Sequence, residues 1–574
     1  MKKLQIRDIF NQIADLLEIK GDNPFRIKAY RRAAQSVENL SSDVEELVRE
    51  GKLEEIPGIG KDLAKKIKEI IETGNLKYFD DLMKKTPKAI LEMMEIPGIG
   101  PKTAKALYDN FKPKNISQLE ALARSHKISG IPGIKDKTEE NILKGIELVK
   151  KGKERMNLGM AVSINSEFVR LLKDLPHVKN ISTAGSLRRM KETIRDIDIL
   201  VISRKPEEVM DAFVRAPMVK EILAHGSTKS SIRTLEGVQV DVRVVDEKSY
   251  GAALVYFTGS KEHNIHIRRL ANQLGLKVNE YGVFENKTGK NIASRREEDV
   301  YSALGLDFIP PELREDTGEI ECAKEGRLPN LVALKDIRGD LHVHSDWSDG
   351  MHPLKEMATL GKERGYEYLA ICDHTQSLRV AGGLNEKELK EQIKEIRKIN
   401  KNIKGFELLC GTEVDILSDG SLDIKDEVLK ELDIVVASIH SGFKQSKDKL
   451  TGRVIKAMEN KYTSIIAHPS GRLIGERAPY ELDFDELFKV AKETNTVFEI
   501  NAFPSRLDLN DTNIRNAKKY GVTLSIGTDT HIKDQLDAMA LGVGMARRGW
   551  LEKGDLLNTL SLSSLKKKLK RKRQ

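Results

Sequence analysis

Residues 183–201 read TAGSLRRMKETIRDIDILV, and the architecture of the middle of the chain follows from that stretch. Asp196 and Asp198 alternate with Ile197 and Ile199. On a strand both carboxylates then face one side, and both isoleucines enter a core on the other. Further along, VQVDVRVV (238–245) presents Asp241 in the same manner between apolar neighbours. Three carboxylates on adjacent strands repel one another unless cations lie between them. Two Mg²⁺ (or Mn²⁺) ions suit such a cage of hard oxygen ligands. Upstream, Gly185 and Ser186 let backbone approach a phosphate, and Arg189 is a natural phosphate partner. A lone D-x-D is often a plain strand edge. The combination G-S…D-x-D…D is matched to in-line phosphoryl transfer, with Asp196, Asp198 and Asp241 as the catalytic, metal-holding carboxylates.

Around this centre lies a long chain. Its 574 residues exceed one core and imply several domains. The composition, 39% hydrophobic and 32% charged, is that of a globular protein. No run approaches about 18 consecutive apolar residues, so no membrane span is expected. The start, MKKLQIRDIF, lacks the apolar segment of a signal peptide. Three cysteines without close spacing, Cys322, Cys372 and Cys410, fit a reduced, cytoplasmic protein. The formal charge of +9 leans on the tail 566–574, KKKLKRKRQ. A frayed, soluble end is the simpler expectation for that tail, and a phosphate-backbone contact is the alternative.

Residues 1–155 show the 3.6-residue apolar spacing of helices, as in IFNQIADLLEI and LAKKIKEIIETG. The pentapeptide IPGIG occurs at 56–60 and again at 96–100, and a third copy, IPGIK at 131–135, has Lys135 in place of its second glycine. Gly58 and Gly60, like Gly98 and Gly100, remove Cβ atoms just before a helix, where backbone N–H groups can reach a phosphate. Such turns position a duplex without reading its bases. The pattern resembles the helix-hairpin-helix motif, whose hairpin carbonyls also hold Na⁺ or K⁺. The first copy lies in a longer resemblance: NPFRIKAYRRAA followed by IPGIGKDLAKKIKEIIETGNL is similar to the amino-terminal lyase domain of DNA polymerase beta. That resemblance places Lys66 on the family's Schiff-base lysine, and Arg26 and Tyr30 on DNA-contact positions. Two neighbouring lysines of the family pattern are Asp62 and Tyr78 here.

The aspartate arrangement is also the signature of the nucleotidyltransferase fold. The segment YFTGSKEHNIHIRRLANQLGLKVNEYGVF (256–284) resembles the polymerase beta thumb. By that resemblance Tyr256 and Phe257, read as part of a strand, pack on the incoming sugar, and Gly259 lies in the turn beside it. Asn264 contacts the nucleotide base and Arg268 the templating nucleotide. Lys261 replaces an acidic residue of the family and is placed to contact the triphosphate.

Beyond a polar stretch at 310–336, expected as a linker or extended connector, seven apolar strand candidates alternate with helices. They end at DLHVHS, LAICDHT, LLCGTEVD, VVASIHS, IIAHPS, VFEINA and LSIGTDTH, a parallel β/α barrel pattern with polar groups at the strand ends. Of 12 histidines, seven follow residue 337. A single histidine is usually a satisfied core residue. Here His342, His344, Asp349, His374, Glu413, His440, His468, Asp529 and His531 all gather at strand ends, and imidazole with carboxylate suits Zn²⁺ or Mn²⁺. His352 has no assigned role. The set is similar to the polymerase and histidinol phosphatase (PHP) family, whose barrels hold three divalent ions. By resemblance His342, His344, Glu413 and Asp529 share one ion, Glu413, His440 and His468 a second, and Asp349, His374 and His531 a third.

The expected architecture is multidomain α/β: a lyase-like helix-hairpin-helix domain (1–85), a fingers-type helical domain with the second hairpin (86–155), a nucleotidyltransferase palm (156–245), a thumb (246–315), a linker (316–336) and a (β/α)7 PHP barrel (337–574). This order resembles the bacterial and archaeal family X DNA polymerases of the polymerase/3′–5′ exonuclease type. It implies filling of short gaps in base-excision repair, using gapped or primed duplex DNA and dNTPs, by a monomer. The barrel would trim 3′ ends and incise abasic sites. A nucleotidyltransferase fused to a small-molecule phosphatase is one alternative, opposed by the paired hairpins and the thumb. A DNA-binding scaffold is another, opposed by the complete ligand sets.

Overall fold

The computed structural model describes residues 2–572 except 39–43, 50, 57, 74, 95, 97–98, 132–133, 135–137 and 147–154. The chain divides into two compact units: Met1–Lys153 with Gly475–Arg477, and Glu154–Ile474 with Ala478–Gln574.

The first unit is helical. Helices Lys2–Lys20 and Pro24–Glu38 pair through Phe10, Ile13, Leu17, Ala33 and Val37, which recur at helical spacing and are all buried. Each hairpin buries its two isoleucines, Ile56 with Ile59 and Ile96 with Ile99. The following helices, Lys61–Thr73 and Pro101–Phe111, begin with identical bonds, Ala64 N–H to the Gly60 carbonyl and Ala104 N–H to the Gly100 carbonyl, both 2.9 Å. The third copy folds alike at its isoleucines: Ile131 and Ile134 are buried and joined by a 2.9 Å backbone bond.

In the second unit the palm is a five-stranded sheet in the order Val178–Thr183, Asp196–Ser203, Gln239–Val244, Lys229–Thr234, Val219–His225. The second and third of these run parallel and the other pairs antiparallel. Ile197, Ile199, Val240 and Val242 face the core built with helices Leu158–Lys173 and Pro206–Val214. Tyr256 and Phe257 end the helix Tyr250–Thr258, correcting the strand expected there. A short unbroken apolar run fits either element, and here the buried Ala252, Ala253 and Val255 pack helically. The 310–336 stretch is not an extended connector either. It contains the helix Glu319–Lys324, buries Ile320 and Ala323 in the thumb core, and ties the buried Glu319 to His263 at 2.7 Å.

The barrel has seven parallel strands. They are Gly339–Val343, Tyr368–Ile371, Glu407–Cys410 continued by Glu413–Asp415, Val436–Ser438, Ile465–Ile466, Val497–Asn501 and Leu524–Gly527. A Val343–Thr530 bridge closes the ring and a His374–Glu413 bridge joins its two sheets. Nearly every strand residue is buried, as expected when helices cover a parallel sheet. The basic tail is not frayed over its described part. The helix Leu562–Lys572 places Leu565 and Leu569 in a cluster with Leu409, Val436 and Ile465, and Lys566 pairs with Glu407 at 2.5 Å.

Candidate active sites and DNA-facing hairpins

The palm register sets Asp198 directly opposite Asp241 on the parallel neighbour strand, with Asp196 two residues before Asp198 on the same face. Asp241 accepts hydrogen bonds from Ser231 Oγ and from Gln239 Nε2 at 3.0 Å. Burial, and then the charges of Asp196 and Asp241, push the Asp198 carboxyl up to about 7. A cage whose members resist ionising together is the donor set a hard divalent cation neutralises. Gly185 has φ +62°, and a Cβ there would stand 2.3 Å from Asp198 Oδ2, so the turn passes directly over the carboxylates.

The thumb residues cluster beside this cage. Gly259 has φ +71°, and a Cβ on it would lie 3.1 Å from Arg189 Nη1. Tyr256 is 36% exposed, and the Phe257 ring lies 4.5 Å from the Arg243 guanidinium. Ser260 caps the helix Lys261–Gln273, which opens with the exposed Lys261. Asn264 Nδ2 donates to the Tyr256 carbonyl at 2.7 Å, and Arg268 Nε to the Asn264 carbonyl at 3.2 Å. Arg189 is engaged within the chain, donating to Glu315 at 3.0 Å and to the Thr258 carbonyl.

All nine predicted barrel residues converge. Glu413 is 1% exposed and faces imidazoles on both oxygens. Oε1 lies 2.8 Å from His468 Nε2 and 3.4 Å from His440 Nε2, while Oε2 lies 2.9 Å from His374 Nδ1 and 3.5 Å from His342 Nε2. His344 Nε2 is 3.2 Å from Asp529 Oδ1, and His531 Nε2 is 3.3 Å from Asp349 Oδ1. Three ligand groups have cation-binding spacing: His344 with Asp349, His374 and His531; His342 with His344 and Asp529; and His374 with Glu413 and His440. His344 and His374 each reach two groups, whereas Glu413, expected to share two ions, falls in one and His468 in none. Burial, and then the neighbouring His531 and His374, push His344 down to about 3, keeping its ring a neutral donor. Burial alone would raise Glu413, but His374, His440 and His342 outweigh it and hold the carboxyl well below its usual range. The buried Nδ1 atoms of His344 and His468 have no hydrogen-bond partner, and Nδ1 of His374 and Oε2 of Glu413, though 2.9 Å apart, are not aligned to hydrogen-bond each other. Unsatisfied buried donors and acceptors of this chemistry fit divalent cations.

Sequence reasoning missed the supporting groups. Glu499 accepts from His342 Nδ1 at 2.7 Å and from the His468 N–H at 2.7 Å, and Asp415 lies 3.0 Å from His440 Nδ1. Such partners fix the orientation of ligating imidazoles. Asn501 donates to Asp529 at 3.1 Å, and Arg506 Nε lies 3.3 Å from the same carboxylate. The available signals are the acidic residue inside VFEINA and the aspartate that ends GTEVD, each lying within a strand.

In the helical unit, Cβ atoms on Gly60 and Gly100 would meet nothing within 4 Å. Both glycines are exposed, so the backbone at each turn is open to solvent. Gly98 falls outside the described residues. Lys66 Nζ pairs with Asp62 at 2.5 Å and lies 5.3 Å from the Tyr78 ring centre and 6.0 Å from that of Tyr30. Arg26 donates to the Tyr78 hydroxyl at 2.8 Å. The two departures from the lyase pattern, Asp62 and Tyr78, thus both lie beside Lys66, together with Tyr30.

The DNA polymerase beta thumb family matches residues 253–315, the PHP domain family 340–512, a helix-hairpin-helix domain 1–76 and a SAM-like helix-hairpin-helix tandem 90–147. The DNA polymerase/3′-5′ exonuclease PolX of Bacillus subtilis is 40% identical over 573 residues, covering all of both chains. A probable phosphatase of Thermoanaerobacter sp. (strain X514) is 28% identical over 250 residues, 41% of this chain and 95% of its own. DNA polymerase lambda of Rattus norvegicus is 25% identical over 344 residues, 54% of this chain and 56% of its own. The chain belongs to the family X DNA polymerases that carry a PHP domain, the polymerase/3′–5′ exonuclease type.

Proposed function

We propose that the chain is a DNA-directed DNA polymerase that fills short gaps during base-excision repair, with a metal-dependent 3′–5′ exonuclease in its barrel. The observation that carries the reading is the Asp198–Asp241 pair, set opposite each other under a glycine turn with no room for a side chain. Asp196, Asp198 and Asp241 would hold Mg²⁺ or Mn²⁺, which supplies positive charge against the triphosphate and the attacking 3′-oxygen. Gly185, Ser186, Arg189 and Lys261 bind the triphosphate, Tyr256, Phe257 and Gly259 the sugar, and Asn264 the base. Arg268 meets the template. The hairpin glycines and Arg26 and Tyr30 grip the duplex backbone, with Na⁺ or K⁺ at the hairpin carbonyls.

In the barrel, the nine-residue set would hold three Mn²⁺ or Zn²⁺ ions, whose contribution would be an activated water and positive charge against the leaving oxygen. The chain's own residues keep that site ordered: Glu499 and Asp415 orient His342 and His440, and Arg506 steadies Asp529. Trimming of mismatched or blocked 3′ ends and incision at abasic sites both fall within this chemistry. Lys66 is assigned as the abasic-site nucleophile, with Asp62 the adjacent proton acceptor. No helix among the described residues is long and apolar enough to cross a membrane, and the reading takes the protein as a cytoplasmic monomer.

The test is a duplex with a one-nucleotide gap and a 5′-phosphate. With the complementary dNTP the primer should gain one nucleotide, and without dNTP, in Mn²⁺, it should shorten. A chain that does neither on this substrate is not a gap-filling polymerase.

A further inference from the structure

Arg189, the proposed triphosphate ligand, shares its counter-ion with the barrel. Its Nε donates to Glu315 Oε1 at 3.0 Å, and the same oxygen accepts from Arg548 Nη1 at 3.0 Å. That Nη1 also donates to the backbone carbonyl of Arg189 at 2.7 Å. Arg548 ends the barrel helix Met539–Arg548 and is 6% exposed. Behind it Asp511 accepts from Nε at 3.0 Å and from Nη2. Lys191 approaches the other Glu315 oxygen at 3.9 Å. The rest of the segment is docked on the barrel too. Met190, at φ +54°, fills the space where a side chain on Gly544 would stand, and Glu192 pairs with the barrel's Arg472 at 2.7 Å.

The charges explain why this matters. A half-buried carboxylate given wholly to Arg189 would neutralise the guanidinium and hold it away from a phosphate. Shared with Arg548 and Lys191, Glu315 still fixes the Arg189 plane but leaves field for the nucleotide. Burial alone would raise the Glu315 carboxyl, yet Arg189, Arg548 and Lys191 together hold it below its usual value, so it is an anion divided among three cations.

We infer that Arg548, a residue of the PHP barrel, is a positioning residue of the polymerase site, orienting Arg189 and keeping its charge available by sharing Glu315. The inference rests on the reading of Arg189 as a triphosphate ligand.

Single-nucleotide gap filling by the full chain tests it. Arg548→Met should raise the dNTP KM about tenfold, the scale of one charge-assisted hydrogen bond. The kcat and the nuclease rate should stay near wild type. Arg548→Lys should recover part of the loss. Glu315→Gln placed in the Arg548→Met chain should recover most of it, because no anion then captures Arg189, whereas a merely structural defect would persist. If Arg189→Met raises KM but Arg548→Met does not, the inference is overturned. It is equally overturned if Arg548→Met lowers kcat and nuclease along with KM, or if Glu315→Gln fails to suppress it. An unchanged KM in Arg189→Met would instead refute the nucleotide-site reading itself.

Discussion

Removing one charge from the palm cage should stabilise the metal-free protein, and the size of the gain follows from Asp198. Its carboxyl moves from an ordinary 3.8 to about 7, through burial first and then through Asp196 and Asp241. A raised carboxyl makes the folded state bind protons more tightly than the unfolded chain. Below about pH 4 both states are protonated and nothing is lost. From about pH 4 to about pH 7 the unfolded chain ionises first, and folded stability falls by about 1.4 kcal/mol per pH unit. Above the folded value the loss levels off near about 4 kcal/mol. Asp198→Asn cannot ionise. In excess chelator at pH 8 the variant should therefore be more stable than wild type by about 3–4 kcal/mol, read as a melting temperature several degrees higher. At pH 4 the two should melt together. Adding Mg²⁺ at pH 8 should raise the wild-type melting temperature more than the variant's, because only the intact cage offers three carboxylates. Equal melting of wild type and variant at pH 8 in chelator would refute the reasoning, since burial and the neighbouring aspartates would then put no unrelieved cost on the Asp198 charge.

Other consequences are as direct. Glu413→Ala should lose more bound metal than His344→Ala by elemental analysis, because Glu413 turns an oxygen toward each of two imidazole sets; equal losses would remove its bridging role. Gly100→Val enters open space at φ −85°, so melting should be unchanged while affinity for gapped DNA at moderate salt falls about tenfold, the scale of one or two phosphate contacts. Unchanged affinity would end the clamp assignment. Lys66→Ala should abolish borohydride trapping on a 5′-deoxyribose-phosphate end, and trapping that survives would exclude Lys66 as the nucleophile.

Much of this site was legible because its chemistry lies on regular elements. Alternation put Asp196 and Asp198 on one strand face, and strand ends announced the histidines. The register that sets Asp198 against Asp241 was not legible, because the two neighbouring parallel strands are separated in sequence by two other strands of the sheet. Tyr256 and Phe257 fit a strand as well as a helix in the linear chain, because an unbroken apolar run carries no period. In the helix Leu562–Lys572 a run of lysines masks two leucines, Leu565 and Leu569, that packing alone reveals as anchors. Glu499 and Asp415 act through other side chains, and sequence marks ligands more readily than their supports. The Arg548–Glu315 bond spans 233 residues and joins groups that look like ordinary surface charges in the linear chain.

The central claim is that one chain holds two chemically separate centres, and a crossed pair of substitutions tests it most directly. On a one-nucleotide-gapped duplex in Mn²⁺, Asp241→Ala should shorten the primer at the wild-type rate yet add no nucleotide. His344→Ala should add the nucleotide at the wild-type rate yet leave the primer unshortened when dNTP is withheld. Loss of both activities in either variant, with the melting temperature of that variant unchanged, would contradict the account.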